Sequence, residues 1–242
     1  MNIHGPSLGI GAAIAVISIL GTLFVTNSDF SNQIIKTQEQ EDDKVIKSTQ
    51  VQKSKDEMAL SLFSAQASSI LGSSDAPVTI VEFGDYQCFY CNKFFHTTES
   101  EIVKNYVDTG KVKMIFKDFT IIGQDSINAA NAAHCANEEG KFWEYHDMLY
   151  NHWTGENNGW ASLENLAKFA DDIGLNKAQF DSCMTEQRYF TIIESSNSDA
   201  RTLGLTGTPG FFIIGPDNTI AKIGGAQPYE VFEKTIESKL EK

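Results

Sequence analysis

The stretch Val78-Thr79-Ile80-Val81-Glu82-Phe83-Gly84-Asp85-Tyr86-Gln87-Cys88-Phe89-Tyr90-Cys91 decides the fold. Its first six residues are rich in β-branched side chains and short enough for a buried strand. Beyond Cys91, residues Phe95, Ile102, Val103 and Tyr106 recur at helical spacing, with Lys93, Glu99, Ser100 and Lys104 between them. Cys88 therefore falls where a strand gives way to a helix. At a helix N-terminus the unpaired N–H groups and the dipole favour an anion, which for cysteine is the thiolate. Cys91 lies within disulfide reach. A thiolate beside a partner thiol is the minimum equipment for thiol–disulfide exchange.

A lone Cys-x-x-Cys also fits half of a zinc site or a structural staple. Zinc would normally need a second ligand pair, and the other two cysteines, Cys135 and Cys183, are far apart in sequence. The strand-then-helix setting selects the redox reading, with metal binding and inert packing as the alternatives.

Working outward, the 242 residues suffice for one medium domain and an extension. The net charge of −13 falls entirely outside the first 28 residues. Nucleic acid is excluded as a partner, because a binding face would need clustered Lys and Arg. Four cysteines in a chain this long do not make a disulfide scaffold, so a hydrophobic core must hold the domain.

Residues 1–28 contain an unbroken run without charge, Leu8 to Val25, just long enough to cross a bilayer. It reads as a retained N-terminal membrane anchor. A cleaved signal is the alternative, against which stand the missing basic leader and the lack of a clear cleavage site. The domain is then expected on the extracytoplasmic side, where thiols are not kept reduced. Residues 29–70 read as a polar linker or stalk, in which Met58 to Leu71 regains enough apolar side chains for a short docking helix. Residues 71–242 form the folded domain.

Within that domain Gly110 closes the first helix, and Val112 to Phe119 reads as a second strand, parallel to the first. About residues 120–205 the pattern is helical throughout. Five helices are expected, the fourth capped by Asn176. Gly204-Leu205-Thr206-Gly207-Thr208-Pro209-Gly210 then breaks helix. Phe211–Ile214 and Thr219–Ile223 read as an antiparallel hairpin, and Tyr229 to Leu240 as a last helix.

This order resembles the thioredoxin fold with the all-helical insertion of the DsbA-like thiol–disulfide oxidoreductases. The resemblance covers roughly Leu71 to the C-terminus. It is carried by Val78 to Cys88, by Asn131-Ala132-Ala133-His134-Cys135-Ala136-Asn137-Glu138-Glu139-Gly140-Lys141-Phe142-Trp143-Glu144-Tyr145-His146-Asp147, and by Gly207-Thr208-Pro209-Gly210-Phe211-Phe212. It implies an α/β enzyme that exchanges disulfides with client proteins through Cys88-Phe89-Tyr90-Cys91, with no cofactor beyond that redox-active pair. It also implies a cis Pro209 beside the cysteines, a Thr208 whose backbone pairs with an extended client and whose side chain tunes the sulfurs, and a buried acid at Glu82 that moves a proton for Cys91. Many relatives carry proline after the first cysteine, where this chain has Phe89, so the direction of electron flow is open.

Cys88 is the expected nucleophile and Cys91 the resolving thiol. An exposed edge carboxylate is the other reading of Glu82. Lys117 is a candidate counter-charge for it, against a solvated lysine. Cys135 and Cys183 fall on different helices of the insertion and read as a structural disulfide, with two buried thiols as the alternative. His134, His146 and His152 read as packing or surface residues. The expected partners are unfolded or cysteine-containing exported proteins, a redox partner that recycles the pair, and the membrane through residues 8–25. The competing functions are a soft-metal dithiol protein binding copper or zinc, and a chaperone that works without redox turnover.

Overall fold

The computed structural model describes residue 50, residues 57–65 and residues 67–241. The charge-free run 8–25 lies outside the described residues, as do residues 29–49, 51–56 and 66 of the polar stretch after it. Among the described residues no helix is long and apolar enough to cross a membrane.

Four strands form one mixed sheet. They are β1 (Val78–Gly84), β2 (Val112–Asp118), β3 (Gly210–Ile214) and β4 (Ile220–Gly224), in the order β2-β1-β3-β4. β1 and β2 run parallel, with Glu82 opposite Phe116 and Phe83 opposite Lys117. β3 lies antiparallel to both β1 and β4. The helical stretch α2 joins β1 to β2. It is α-helical over Phe89–Phe94 and Ser100–Ile102 and π-helical over Phe95–Glu99 and Val103–Val107. The sequence spacing predicted a uniform helix there; Ile102 and Tyr106, four residues apart, are buried against the sheet while Val103 is only partly buried. Gly110 follows at φ +73°, a left-handed position where a Cβ is unfavourable.

Side-chain alternation along β1 sorts the two faces of the sheet. Val78 and Ile80, with Val112, Met114, Phe211 and Ile213, pack under α2 and the C-terminal helix α8 (Tyr229–Leu240). Val81 and Phe83, with Phe212 and Ile214, pack on the other side. There they meet α1 (residues 57–64) and α7 (Phe190–Thr202). Ala59 and Phe63 of α1 are one helical turn apart and both buried, and the Phe63 ring lies 4.8 Å from that of Phe212. The short docking helix expected over Met58 to Leu71 is present but ends at residue 64, and Leu71 instead bridges to Met114 of β2.

The insertion supplies α3 (Gln124–Asn137), α4 (Phe142–Asn151), α5 (Leu163–Asp172), α6 (Lys177–Thr185) and α7. Small residues Ala129, Ala132, Ala133 and Ala136 of α3 let neighbouring helices approach closely, and Phe142, Tyr145, Leu149, Leu166 and Phe180 fill the space between them. Asn176 caps α6, its side chain accepting the Gln179 N–H at 3.1 Å. Cys135 on α3 and Cys183 on α6 are joined by a disulfide, closing a loop with a sequence separation of 48.

Candidate active site

Cys88 is the N-cap of α2, with extended backbone (φ −68°, ψ 126°), and its carbonyl accepts the first helical bond from Asn92 N–H at 3.0 Å. Neither it nor Cys91 is in a disulfide. Cys88 is the more accessible of the two, at 5% against 1%, although both are buried.

The Cys88 thiol is pulled down to about 6. The Cys91 thiol beside it is the largest cause. Burial opposes the shift, while Thr208 and the N–H groups of Cys91 and Tyr90 add to it. The helix end contributes, but its partner thiol contributes more than the sequence context implied. Cys91 moves the opposite way. Burial pushes it well above the usual thiol range, and the Cys88 contact and the charges of Cys88 and Glu82 add to that. One sulfur is thus built to carry charge and its neighbour to refuse it.

Glu82 points to the α2 face of the sheet and is 2% exposed. Burial raises its carboxyl well above the usual range, and the charges of Glu99 and Cys88 raise it further. Gly84, two residues on and on the same face, leaves room for the Phe116 ring and the Glu82 carboxylate; a Cβ there would stand 2.5 Å from the ring. Lys117 does not serve Glu82. It pairs with Phe83 across the strands, so its side chain leaves by the opposite face. It is fully buried rather than solvated, with Nζ 2.8 Å from Asp199 Oδ2 and further bonds to the Leu62 and Ala65 carbonyls at the end of α1.

The loop before β3 closes the site from above. The Cys88 sulfur donates to the Thr208 carbonyl at 3.4 Å, and the Thr208–Pro209 peptide is cis. Thr208 Oγ1 is buried and makes no hydrogen bond, which leaves the hydroxyl able to turn to a thiolate. Phe89 and Tyr90 stand about half exposed beside the sulfurs.

Residues that the sequence reading passed over hold this arrangement. The Asp85 carboxylate accepts from the N–H groups of Gln87, Ile121 and Ile122, fastening the strand end to the start of the insertion. The Gln87 side chain bonds Ser126 Oγ at 3.2 Å and Asn157 N–H at 2.8 Å, and its carbonyl accepts from Trp153 Nε1 at 2.8 Å. Glu156 Oε1 accepts the Phe89 N–H at 3.0 Å. Behind the cysteines, Tyr86 Oη lies 3.1 Å from His146 Nδ1, and His146 Nε2 lies 3.7 Å from Glu99 Oε1. An Asp just past a strand is a turn signal, and it would have found Asp85. No sequence signal pairs Glu156 with Phe89 across 67 residues. His134 is buried against Asp118 at 2.7 Å, and His152 is exposed at the end of α4. Among the described residues no group of three or more His, Cys, Asp or Glu side chains is placed to hold a metal ion.

The thioredoxin family model matches residues 64–238. Disulfide bond formation protein D of Bacillus subtilis is 28% identical over 176 residues, 71% of this chain and 76% of that protein. A probable disulfide bond formation protein D of Bacillus anthracis is 27% identical over 158 residues, covering 64% of this chain and 73% of the relative. Among solved structures, oxidised BdbD of Bacillus subtilis superposes with a TM-score of 0.65 at 26% identity, covering 72% of this chain and 92% of that one. The α-DsbA1 of Wolbachia pipientis gives 0.63 at 25% identity, over 70% and 89%.

Proposed function

Since the chain belongs to the thioredoxin family and is a DsbA-like thiol–disulfide oxidoreductase, we propose that Cys88 and Cys91 are its redox pair and that it works as an oxidant of cysteine-containing client proteins. The observation that carries this reading is Cys88 at the N-cap of α2 with the more deeply buried Cys91 thiol beside it, an arrangement that pulls the first thiol down to about 6 and pushes the second up. A stabilised thiolate favours the reduced form, which makes the disulfide a better oxidant. The names of the Bacillus relatives, disulfide bond formation proteins, support the same direction.

In the forward reaction a client thiolate attacks Cys88 Sγ of the Cys88–Cys91 disulfide. The S–S bond breaks, a mixed disulfide forms, and Cys91 leaves as a thiolate. With so high a proton affinity Cys91 takes up a proton at once, and Glu82, buried and holding its own proton above the usual range, is the group to supply it. A second client thiolate then attacks the client sulfur of the mixed disulfide. Cys88 departs as a stable thiolate, and the client leaves with a new disulfide. Two electrons pass from client to enzyme, and a redox partner must later remove them. Thr208 and Pro209 border the sulfurs where an extended client would lie, with Phe89 and Tyr90 as an apolar shoulder.

Client oxidation belongs outside the reducing cytoplasm, and residues 8–25 would tether the domain there. Oxidation of a reduced, unfolded client by the purified dithiol-free protein tests the reading. Rapid transfer of one disulfide per enzyme supports it; insulin reduction without client oxidation would reverse the direction.

A further inference from the structure

We propose that Glu156 is a positioning residue that sets the redox poise of the Cys88–Cys91 pair, its carboxylate holding the first amide of the active-site helix and opposing negative charge on the Cys88 sulfur. The inference rests on the assignment of that pair as the redox centre.

Glu156 belongs to the loop between α4 and α5, far from Cys88 in sequence. The loop is clamped at two points to Gln87, the residue just before the nucleophile. Trp153 Nε1 donates to the Gln87 carbonyl at 2.8 Å, and the Asn157 N–H donates to Gln87 Oε1 at 2.8 Å. The Trp153 ring also lies 5.9 Å from that of Phe89. Asn157 adopts φ +52°, a left-handed conformation that asparagine tolerates better than most residues. Glu156 sits between these clamps, and its Oε1 receives the Phe89 N–H at 3.0 Å. None of the steps above uses that contact.

Its consequence follows from charge. In the disulfide form Cys88 is neutral, and a carboxylate at the helix N-terminus is favourable. In the dithiol form the Cys88 thiolate draws on the Tyr90 and Cys91 amides of the same helix end. Two anions then share one turn, so Glu156 disfavours the thiolate and with it the reduced state. Cys91 on its own helix and Glu82 on β1 interact with Cys88 directly, while Glu156 on this loop reaches it through the neighbouring Phe89 N–H. Cys91 and Glu82 are buried, whereas Glu156 is exposed, so salt screens its effect alone of the three.

The test uses the full chain as wild type, Glu156→Gln, Glu156→Asp and Glu156→Lys. Two quantities are read: the pH titration of Cys88 by thiolate ultraviolet absorbance, and the redox equilibrium with glutathione. Glu156→Gln should lower the Cys88 pKa by about half a unit and move the equilibrium about threefold toward the dithiol, about 14 mV for a two-electron couple. Glu156→Lys should move both further the same way, Glu156→Asp should stay near wild type, and the differences should shrink as salt rises. Variants that titrate and equilibrate like wild type overturn the inference. So does a shift shared by all three substitutions and indifferent to salt, which would mark a purely structural contact. A wild type that fails to equilibrate with glutathione would overturn the redox assignment itself, and this inference with it.

Discussion

The Cys88 sulfur and the Thr208 carbonyl oxygen lie 3.4 Å apart across 120 residues of sequence. A carbonyl can accept from a thiol but offers nothing to a thiolate, whereas the buried, unpartnered Thr208 hydroxyl can donate to one. Thr208→Val keeps the carbonyl and the branched shape while removing that donor. We expect the Cys88 pKa to rise from about 6 by about one unit, the scale of a hydrogen bond to a charged group. Iodoacetamide alkylation rates against pH report it directly; an unchanged midpoint would remove Thr208 from the tuning of the sulfur.

Cys91 exerts the largest pull on Cys88, so its substitutions separate two of its roles. Cys91→Ala should raise the Cys88 pKa more than Thr208→Val does, because the main donor is lost. Cys91→Ser keeps a donor but cannot form or resolve a disulfide, so it should accumulate mixed disulfides with clients. Cys88→Ser should trap nothing. Non-reducing gels with a reduced client distinguish these, and full turnover by Cys91→Ser would refute the role assignment.

Glu82 links pH to both stability and turnover. Its folded-state pKa lies above the unfolded value, with burial as the main cause. Such a group contributes its full stability below the unfolded pKa, and that contribution is lost as pH rises through the folded pKa. Glu82→Gln has no carboxyl to ionise. Its stability should therefore fall less than that of wild type between mildly acidic and neutral pH, read by urea denaturation across that range. The same variant should slow the proton-linked departure of Cys91. Parallel stability curves for the two proteins would mean that Glu82 carries no such penalty.

The frame of the molecule was legible in the sequence because it rests on local signals. Two β-branched runs, helical periodicity after Cys91, and the Thr208-Pro209 break before Phe211 placed the four strands and the last helix close to their observed limits. The resemblance carried Glu82, and its burial follows once β1 is seen to lie at the middle of the sheet. Lys117 was misjudged because its fate depends on which face of β2 it occupies and on α1 and α7, which cover that face. The Glu156 bond to Phe89 and the clamps through Gln87 join segments that only the tertiary fold brings together. Strand and helix periods carry no information on such meetings.

The Cys135–Cys183 disulfide clips α3 to α6 within the insertion, in the same core cluster that holds Cys88 and Cys91. Closing a loop with a sequence separation of 48 restricts the unfolded chain by about 4 kcal/mol in the chain-entropy account. The double variant Cys135→Ala/Cys183→Ala should lose stability on that order in urea denaturation. Its Cys88 pKa and its glutathione equilibrium should match wild type. A change in either would show that the insertion disulfide reports to the active site rather than only bracing it.

Lys117 is the last test, because its ammonium holds together three elements that meet under the sheet. It is fully buried, its charge is met by Asp199 of α7 at 2.8 Å, and its remaining protons go to the Leu62 and Ala65 carbonyls at the end of α1. Burial lowers its pKa and Asp199 works against that shift. Removing the ammonium leaves the Asp199 carboxylate, 13% exposed, without its partner, so Lys117→Ala should cost about 3 kcal/mol, the low end for a buried pair. Lys117→Met/Asp199→Leu replaces both charges with apolar bulk and should recover most of that loss. It does not restore the bonds to the Leu62 and Ala65 carbonyls, which are orphan acceptors of a helix end. The double variant should therefore be stable in its sheet yet open at α1, with limited proteolysis cutting near residues 57–65 before any site in the insertion. If the double variant resists protease there as wild type does, α1 is held by Ala59 and Phe63 alone and the lysine is only a buried charge.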